Sequence, residues 1–517
     1  MPYACGARFE LEKGCLPGTR ESLLAEICDV LNNPDDNAPR VCFLTGVAGS
    51  GKSAVAHSVA RLYDEQERLG SSYCFASTDV ASRNPKNLFS TIARDLSDHD
   101  TQYKSALWRI VKDNRALRTS QSPLEQVEKL VITPRRGLDA VGPLVIVIDA
   151  LDESGDRASR RQLLRVISDK IAQDSLPAKL RFLITARPED DILTALPPGP
   201  HIVCKRMGDI PHQTVNGDIG KFVRYSLHQY SELESSWPDG EWCRLLVHHS
   251  QYLFQWASTA CNFIEGDGTV GLDACERLDK LLRAAETGGG NSLDSLYHAV
   301  LNQLFTTNDT RDRFRTVMAI VLALNEPLSL HSLSTLLGRD LNIRPIIKPM
   351  ASLLDGVLDE EKPIRPLHTS FRDFLLDEAR SSVFHVQTLP HHSLHLGRAL
   401  LAAMRNSLKF NICDLKDSRI RNTTIPDLPT RVNKAIPPHL SYSCQYWMYH
   451  LQHTECTLDL LNEVTLFFKT FFPYWLEAVS LLSLSSPLSP ILSALETCTI
   501  LQKWAKVRLY LVVSARC

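Results

Sequence analysis

The sequence has almost no net charge. Its 57 lysine and arginine residues face 59 aspartate and glutamate residues, which gives a formal net charge of −2 at pH 7. Proteins that bind nucleic acid or anionic membranes through their overall charge carry a clear positive excess. The balance therefore excludes an electrostatic reason for either partner, and we expect no nucleic acid and no membrane surface. Other partners have to be inferred from particular sites.

Paired cysteines are also missing. The 14 cysteines are scattered along the chain, without a Cys-x-x-Cys pair and without a cysteine and histidine cluster at the spacing of zinc ligands. A chain of 517 residues is long enough to fold around hydrophobic cores without disulfide bonds. These cysteines are predicted to be reduced thiols, as in a cytoplasmic protein, and no metal beyond magnesium is expected.

No apolar run is long and uniform enough to predict a membrane span. The best candidate, Ala478 to Leu495, contains six serines together with Pro487 and Pro490. The first residues carry charges where a signal peptide has its apolar segment. We expect a protein without a membrane span, located in the cytoplasm, and its length predicts three or four packed units.

The sequence does contain a phosphate-binding loop, in the stretch "FLTGVAGSGKSAVAHSVA". An apolar run, Val41 to Thr45, predicts a buried parallel strand, and Ala54 to Leu62 predicts a helix. Between them, eight residues match the pattern G-x-x-x-x-G-K-[ST]: Gly46, Val47, Ala48, Gly49, Ser50, Gly51, Lys52 and Ser53. Backbone N–H groups, the helix N-terminus and Lys52 would hold phosphate oxygens, and Ser53 would ligate magnesium. The alternative is an ordinary glycine-rich turn.

A second strand ends in acidic residues, in the stretch "PLVIVIDALDES". Leu144 to Ile148 is an unbroken apolar run, and Asp149 follows it where a carboxylate for magnesium is expected. Asp152 and Glu153 come next and are candidates for ordering an attacking water. For these two residues, capping of the following helix is an open alternative.

A third strand delivers an arginine to the same edge of the predicted sheet. Leu180 to Thr185, in "LRFLITARPED", precedes Arg187. A guanidinium at this edge can form paired hydrogen bonds to a terminal phosphate, which makes Arg187 a candidate phosphate sensor. A surface ion pair with Glu189 or Asp190 is an equally good interpretation of the sequence.

These three motifs, in this order, resemble the NACHT branch of the signal-transducing P-loop ATPases, and more specifically the fungal NOD-like receptors. Further stretches support the resemblance, which covers nearly the whole chain: "GCLPGTR" from Gly14, "IDALDES", "TARPE", "RPLHTSFRDFLLD" from Arg365 and "SYSCQYWMYHL" from Ser441. The combination of the acidic element with "HTSFRDFL" is more selective than the loop alone.

The resemblance implies an α/β fold with a P-loop NTPase parallel sheet and helices on both faces, followed by a helical lid, a winged-helix region and a C-terminal helical region. The predicted boundaries are 1–38 for a leader, 39–208 for the nucleotide-binding domain, 209–290 for the lid, 291–385 for the winged-helix-like domain and 386–517 for the last region. Helical periodicity supports the later parts, in Asp218 to Tyr230, Gln251 to Ile264, Leu293 to Leu304 and Phe314 to Leu324, with a linker at Gly288 to Gly290.

The resemblance also implies a role for His368. In the family, the histidine at the start of this motif reaches the β-phosphate of ADP and holds the closed state. The residues alone indicate a core-facing helix, because Phe371, Phe374 and Leu375 stand at helical spacing, and a structural histidine is the usual interpretation there.

The chain departs from its relatives in two ways. Gln251 and Tyr252 stand where relatives carry a glycine pair, which puts the backbone path and its contact with adenine in doubt. The chain also begins fewer than fifty residues before the loop, and no repeat of fixed period follows. A lost sensor or a truncated gene product is therefore expected.

Three functions fit these observations. The first is an ATP/ADP switch with magnesium, closed with ADP and opening with ATP to form a homo-oligomer or to co-assemble with related receptors. It would be at most a slow ATPase. The second is a P-loop phosphotransferase, although no acceptor signature is present. The arginines where its lid might lie look like scattered helix-surface charges: Arg83, Arg94, Arg109, Arg115 and Arg118. The third is a nucleotide-binding receptor core without turnover.

Overall fold

The computed structural model describes fourteen stretches of the chain, and the fold is reported for these residues: 1–4, 6–35, 37–76, 83–114, 116–134, 143–171, 180–237, 240–266, 273–287, 292–338, 341–387, 390–417, 422–452 and 458–482. Two compact units divide the chain. The first comprises Met1–Leu304 together with Pro366–Phe374, and the second comprises Phe305–Arg365 and Leu375–Cys517. The predicted division into five parts is not tested by this partition and stays a prediction.

A parallel β-sheet forms the centre of the first unit. Its five strands, among the residues described, are β1 (Val41–Thr45), β2 (Leu69–Cys74), β3 (Leu144–Asp149), β4 (Leu180–Ala186) and β5 (Ile202–Arg206). They are ordered β2-β3-β4-β1-β5, and every neighbouring pair is parallel. The three predicted strands are confirmed as β1, β3 and β4. Two of them, β1 and β3, are predicted from apolar runs, because strands buried on both faces have no polar alternation.

Helices cover both faces of this sheet. Alternate residues of β1 point into two cores: Val41 and Phe43 pack on one face, and Cys42 and Leu44 pack on the other. The helices of the first unit are α1 (Glu21–Asn32), α2 (Lys52–Glu65), α3 (Leu88–His99), α4 (Thr101–Asp113), α5 (Pro123–Gln126), α6 (Arg157–Val166), α7 (Asp190–Ala195), α8 (His212–Ser226), α9 (Ser231–Ser236), α10 (Glu241–His249), α11 (Phe254–Glu265), α12 (Ala274–Thr287) and α13 (Ser292–Leu304). The predicted α/β fold is therefore confirmed.

The second unit is mainly helical. Its helices are α14 (Asn308–Ala323), α15 (Leu330–Leu337), α16 (Arg344–Ile347), then, after α17 (Thr369–Leu376), α18 (Glu378–Ser381), α19 (Pro390–Ser407), α20 (Leu428–Ala435), α21 (Pro438–Gln452), α22 (Leu458–Thr470) and α23 (Phe472–Leu481). Two short strands, β6 (Leu354–Asp355) and β7 (Arg365–Pro366), pair with each other. Residues Thr369 to Phe374 of α17 count with the first unit. The winged-helix assignment stays a prediction.

Two predicted helices of the lid start at other residues than expected. The first, predicted from Asp218, runs as α8 from His212, and the second, predicted from Gln251, begins as α11 only at Phe254. The later start has a backbone cause, because Gln251 and Tyr252 both have positive φ angles and cannot belong to a right-handed helix. The predicted linker at Gly288 to Gly290 lies outside the described residues.

The sheet brings the three sequence motifs to one edge. The phosphate loop follows β1, Asp149 ends β3 and Arg187 follows β4, so all three lie at the carboxyl ends of the strands, where open parallel sheets bind ligands. Strand β4 lies between the other two strands. Within the described part of the chain, no helix combines the length and the apolar character needed to cross a membrane.

Candidate functional site

The phosphate loop joins β1 directly to α2. Gly49 and Gly51 have φ angles of +80° and +97°, which residues with a side chain rarely adopt. A Cβ atom on Gly49 would also lie 2.8 Å from Cβ of Gln255, so a side chain there would collide with α11. The loop therefore needs glycine at both positions.

Lys52 is the first residue of α2, and its side chain is buried beneath the loop. Its Nζ donates to the carbonyl oxygens of Gly46 at 2.8 Å and Val47 at 3.0 Å. Burial lowers the pKa of Lys52, while the charges of Asp152 and Asp149 act in the opposite direction. The ammonium group is thus held at the helix N-terminus, close to the acidic residues, where both the dipole and the loop amides favour an anion. Ser53, in the same helical turn, is exposed.

Asp149 is almost completely buried at the end of β3, with 3% of its surface exposed. Its Oδ1 accepts a hydrogen bond of 2.5 Å from the hydroxyl of Thr185, and that hydroxyl accepts one of 3.0 Å from the Ala150 amide. The orientation of the carboxylate is therefore fixed from the neighbouring strand. Thr185 has no predicted role in the sequence motifs, although it is the first residue of the "TARPE" stretch.

His57 and Cys74 lie beside Asp149, and one ligand atom of each of these three residues is within 4.8 Å of the others. However, Nδ1 of His57 accepts a hydrogen bond of 2.8 Å from the backbone amide of Glu10. A neutral imidazole that accepts at Nδ1 carries its proton on Nε2, so neither nitrogen can ligate a metal while this bond persists. The arrangement is a buried packing contact between α2, β2 and β3.

Asp152 lies in a short turn after β3, and its carboxylate is committed to Arg187. Oδ1 accepts from the Arg187 amide at 3.0 Å, and Oδ2 lies 3.1 Å from its Nε. Helix α6 is capped by Asp156, whose side chain accepts from the Ser159 amide at 2.7 Å. The helix-cap interpretation is therefore wrong for Asp152, and Glu153 is likewise not the cap.

Arg187 connects two carboxylates. Besides its contact with Asp152, its Nη1 donates to Oδ2 of Asp373 at 2.7 Å and its Nη2 donates to Oγ1 of Thr369 at 2.7 Å. Burial acts to lower the pKa of Arg187, but the hydrogen bond and charge of Asp373 raise it above its usual value. The alternative of an ion pair between Arg187 and Glu189 is not observed, because Glu189 pairs with Arg160.

His368 immediately precedes α17, is half-buried and lies near Arg187, Lys52 and Asp373. Its Nδ1 accepts from the Ser370 amide at 3.1 Å and lies 2.6 Å from the Ser370 hydroxyl, which in turn is 2.7 Å from the hydroxyl of Tyr297. This network places the imidazole proton on Nε2. Burial, together with the charges of Arg187 and Lys52, lowers the pKa of His368 to about 4.

The lowered pKa of His368 predicts a loss of stability in acid. In the unfolded chain His368 binds a proton below about pH 6.5, whereas in the folded chain it binds one only below about pH 4. The free energy of unfolding therefore decreases as the pH falls from 6.5 to 4. The loss is up to about 2 kcal/mol at pH 5. Thermal unfolding of the nucleotide-free protein between pH 7.5 and 5 measures it. His368→Gln should flatten the pH profile, while His228→Gln, at an exposed position, should leave it unchanged; equal slopes in both variants would contradict the prediction.

A cavity of about 660 Å³ opens beside the phosphate loop. It is lined by the loop, by the segment after β5 and by the turn before α11, with these residues among others: Gly46, Val47, Met207, His212, Gln251 and Tyr252. The rings of Tyr252 and His212 stack at a centroid distance of 3.9 Å. An apolar pocket with an aromatic wall next to a phosphate cradle has the character of a nucleobase site.

The turn before α11 keeps a left-handed path without glycine. Gln251 and Tyr252 have φ angles of +47° and +67°. The backbone therefore follows the path expected of a glycine pair although both residues carry side chains. This left-handed conformation is strained and costs about 1 to 2 kcal/mol for each residue.

Gln251→Gly is expected to relieve this strain. We expect it to raise the unfolding temperature of the nucleotide-free protein relative to Gln251→Ala, because alanine keeps a Cβ atom in the left-handed region. The two variants lose the same side-chain contacts, so their difference isolates the backbone term. An unfolding temperature of Gln251→Gly equal to or below that of Gln251→Ala would contradict the expectation.

Arg20 ties the phosphate loop to the helices that follow the sheet. Its Nη2 donates to the Ser50 carbonyl at 3.1 Å, its backbone amide donates to Asp218 of α8 at 3.1 Å, and its guanidinium lies 4.8 Å from the ring centre of Phe254 in α11. The Gln255 amide of α11 also donates to the Gly49 carbonyl at 3.1 Å. Sequence analysis found Arg20 only as part of "GCLPGTR" and gave it no role.

One family model matches part of the chain. The family model described as "Nephrocystin 3, N-terminal" matches residues 18–187, a range that contains the phosphate loop, Asp149 and Arg187. No curated protein matches the chain.

Two solved structures are among those similar to the chain. One is a Signal Transduction ATPase with Numerous Domains (STAND) protein with a tetratricopeptide repeat sensor from Pyrococcus horikoshii, with 12% identity, coverage of 100% of this chain and 67% of that chain, and a TM-score of 0.40. The other is Drosophila ORC bound to GC-rich DNA and Cdc6, with 13% identity, coverage of 87% and 70%, and a TM-score of 0.24. At TM-scores below 0.5, neither likeness assigns a fold, a residue or an activity. The strand order, the glycine-rich loop and the acid at the end of β3 together make the first unit a P-loop NTPase fold.

Proposed function

We propose that the chain is an ATP/ADP-dependent switch of the NACHT type, locked by ADP and opened by exchange for ATP. The main support for this proposal is that Pro366–Phe374 packs as part of the first unit. This segment, distant in sequence, brings His368 close enough to Lys52 and Arg187 for their charges to lower its pKa. A switch needs an element whose contacts differ between two nucleotides, because a ligand shifts an equilibrium only through its differential affinity.

The donor set fits a nucleotide with magnesium. The loop from Gly46 to Gly51 offers backbone amides, α2 offers its N-terminus, and Lys52 offers a cation held beneath the loop. Ser53 and Asp149 supply the oxygen ligands that Mg²⁺ prefers. When bound, the metal would neutralise negative charge on the phosphates. The cavity beside the loop has the lining that a nucleobase requires.

Hydrolysis, in this proposal, depends on Glu153 more than on Asp152. The carboxylate of Asp152 already accepts a hydrogen bond from the Arg187 amide and forms an ion pair with its guanidinium. Its residual role is to orient the arginine. Glu153 lies in the same turn, and its charge reaches both Lys52 and Arg187. We assign the ordering of water to Glu153 and a phosphate-sensing role to Arg187, and we expect turnover to be slow.

His368 is assigned to the diphosphate state. Its Nδ1 is occupied by Ser370, so Nε2 carries the proton and can donate to a phosphate oxygen. A neutral donor suits this task, since its hydrogen bond does not depend on pH near neutrality. Opening would release this contact and expose surfaces for a homo-oligomer or for co-assembly with related receptors, in signalling of the innate-immunity or non-self-recognition kind.

The proposal is tested by identifying the nucleotide that the purified protein carries. The protein is prepared without added nucleotide and denatured, and the released compound is identified by chromatography. Near-stoichiometric ADP supports the switch. An empty site that turns over added ATP rapidly would favour a phosphotransferase, and an empty site without binding or turnover would leave a receptor core that has lost its ligand; either result overturns the proposal.

A further inference from the structure

Arg187 is held between carboxylates from two distant parts of the chain. Asp152 comes from the turn after β3, and Asp373 comes from α17, 186 residues beyond the arginine. Each nitrogen of the guanidinium has a protein partner: Nε contacts Asp152, Nη1 contacts Asp373 and Nη2 contacts Thr369. The arginine is therefore fully oriented by protein groups, in the part of the site where a terminal phosphate would be sensed.

The charges in this group do not cancel. Two carboxylates face one guanidinium, which leaves one negative charge in excess. The side chains of Asp152, Arg187 and Asp373 are only 5%, 27% and 34% exposed, so water screens this charge less than at an open surface. An additional phosphate group would meet this excess negative charge.

The two carboxylates are not equivalent. Asp152 also accepts the Arg187 backbone amide and so belongs to the frame of the sheet edge. Asp373 contacts the arginine only through its side chain. It belongs to Pro366–Phe374, which is part of the first unit but is separated from the rest of it in sequence by Phe305–Arg365. Asp373 is thus the partner that can be exchanged without rebuilding the sheet edge.

We propose that Asp373 makes the site select a nucleoside diphosphate over a triphosphate. It accepts from one of the two N–H groups of Nη1, so it competes with a third phosphate for the guanidinium, and it adds negative charge beside that guanidinium. A triphosphate has to compete with Asp373 for Arg187, whereas a diphosphate does not. This inference rests on the proposed nucleotide binding and names the residue that sets the preference between the two ligands.

The test compares the affinities of ADP and of a non-hydrolysable ATP analogue by calorimetry, in the full chain and in Asp373→Asn. Asparagine keeps the shape and one acceptor but removes the charge. We expect the ratio of triphosphate to diphosphate affinity to rise about tenfold. Asp190→Asn removes the same charge from an exposed position three residues after Arg187 and should leave the ratio unchanged. In the Arg187→Gln background, Asp373→Asn should raise the ratio less than it does beside Arg187, because only the direct repulsion between Asp373 and the third phosphate is then removed.

Each outcome separates this inference from the proposed function. If the full chain binds neither ligand, nucleotide binding itself is refuted, and the inference falls with it. If both ligands bind and Asp373→Asn leaves the ratio unchanged, the role of Asp373 is refuted while nucleotide binding stands. Should Asp373→Asn fail to fold, Thr369→Val removes the Nη2 partner without altering charge and should shift the ratio in the same direction by a smaller factor; no shift would count against the inference.

Discussion

Lys52→Ala is expected to weaken the binding of both ADP and ATP about 100-fold, because charge-assisted hydrogen bonds contribute about 1.5 to 3 kcal/mol each. The side chain is oriented in advance by the carbonyls of Gly46 and Val47, so little conformational entropy is lost when a phosphate binds. The positive charge also offsets the acidic residues around it. Without it, Asp149 and Asp152 would repel the phosphates.

Calorimetric titration with each nucleotide measures the effect of Lys52→Ala. Lys104→Ala serves as the control, since Lys104 is an exposed residue of α4 that also takes part in an ion pair. Loss of affinity in both variants would indicate general destabilisation. Unchanged affinity in Lys52→Ala would contradict the assignment of the phosphate site.

Asp149→Asn is expected to abolish the strengthening of nucleotide binding by magnesium, an effect of about 10- to 100-fold. Asparagine can still accept the hydrogen bond from Thr185, so the local structure should persist. What it removes is the negative charge, and Mg²⁺ binds carboxylate oxygen far better than a neutral amide in a site with few other ligands. The expected change is therefore electrostatic.

ADP affinity is measured with Mg²⁺ and again with a chelator, in the wild-type chain and in Asp149→Asn. The two values should differ in the wild type and coincide in the variant. Thr185→Val, which frees the carboxylate without removing its charge, should retain a reduced magnesium effect. An equal magnesium effect in the wild type and in Asp149→Asn would contradict the role of Asp149.

Local sequence patterns predicted the elements at the sheet edge well. Strands β1 and β3 are almost entirely apolar because both faces of the sheet are covered by helices, and such runs are visible without tertiary information. The glycine-rich loop was equally evident, because its backbone requires residues without a side chain at Gly49 and Gly51.

Contacts between distant segments could not be predicted. Nothing in the sequence around Arg187 indicates that its partner is Asp373 rather than the nearby Glu189, because pairing across 186 residues depends on how α17 docks. The orientation of Asp149 by Thr185 depends on β4 lying next to β3, which the order of strands in the chain does not reveal. The backbone conformation at Gln251 could not be predicted either, because the fold imposes a left-handed conformation on a residue type that disfavours it.

Hydrogen exchange of the segment 366–376 tests the switch most directly. The amides of Ser370 and Phe371 are hydrogen-bonded within this segment, which should be protected while Arg187 and His368 hold it against the phosphate site. The protein is compared with ADP bound and with a non-hydrolysable ATP analogue bound, each at saturation. We expect exchange in this segment to be at least about ten times faster with the triphosphate. Identical exchange with the two nucleotides, both bound, would contradict it.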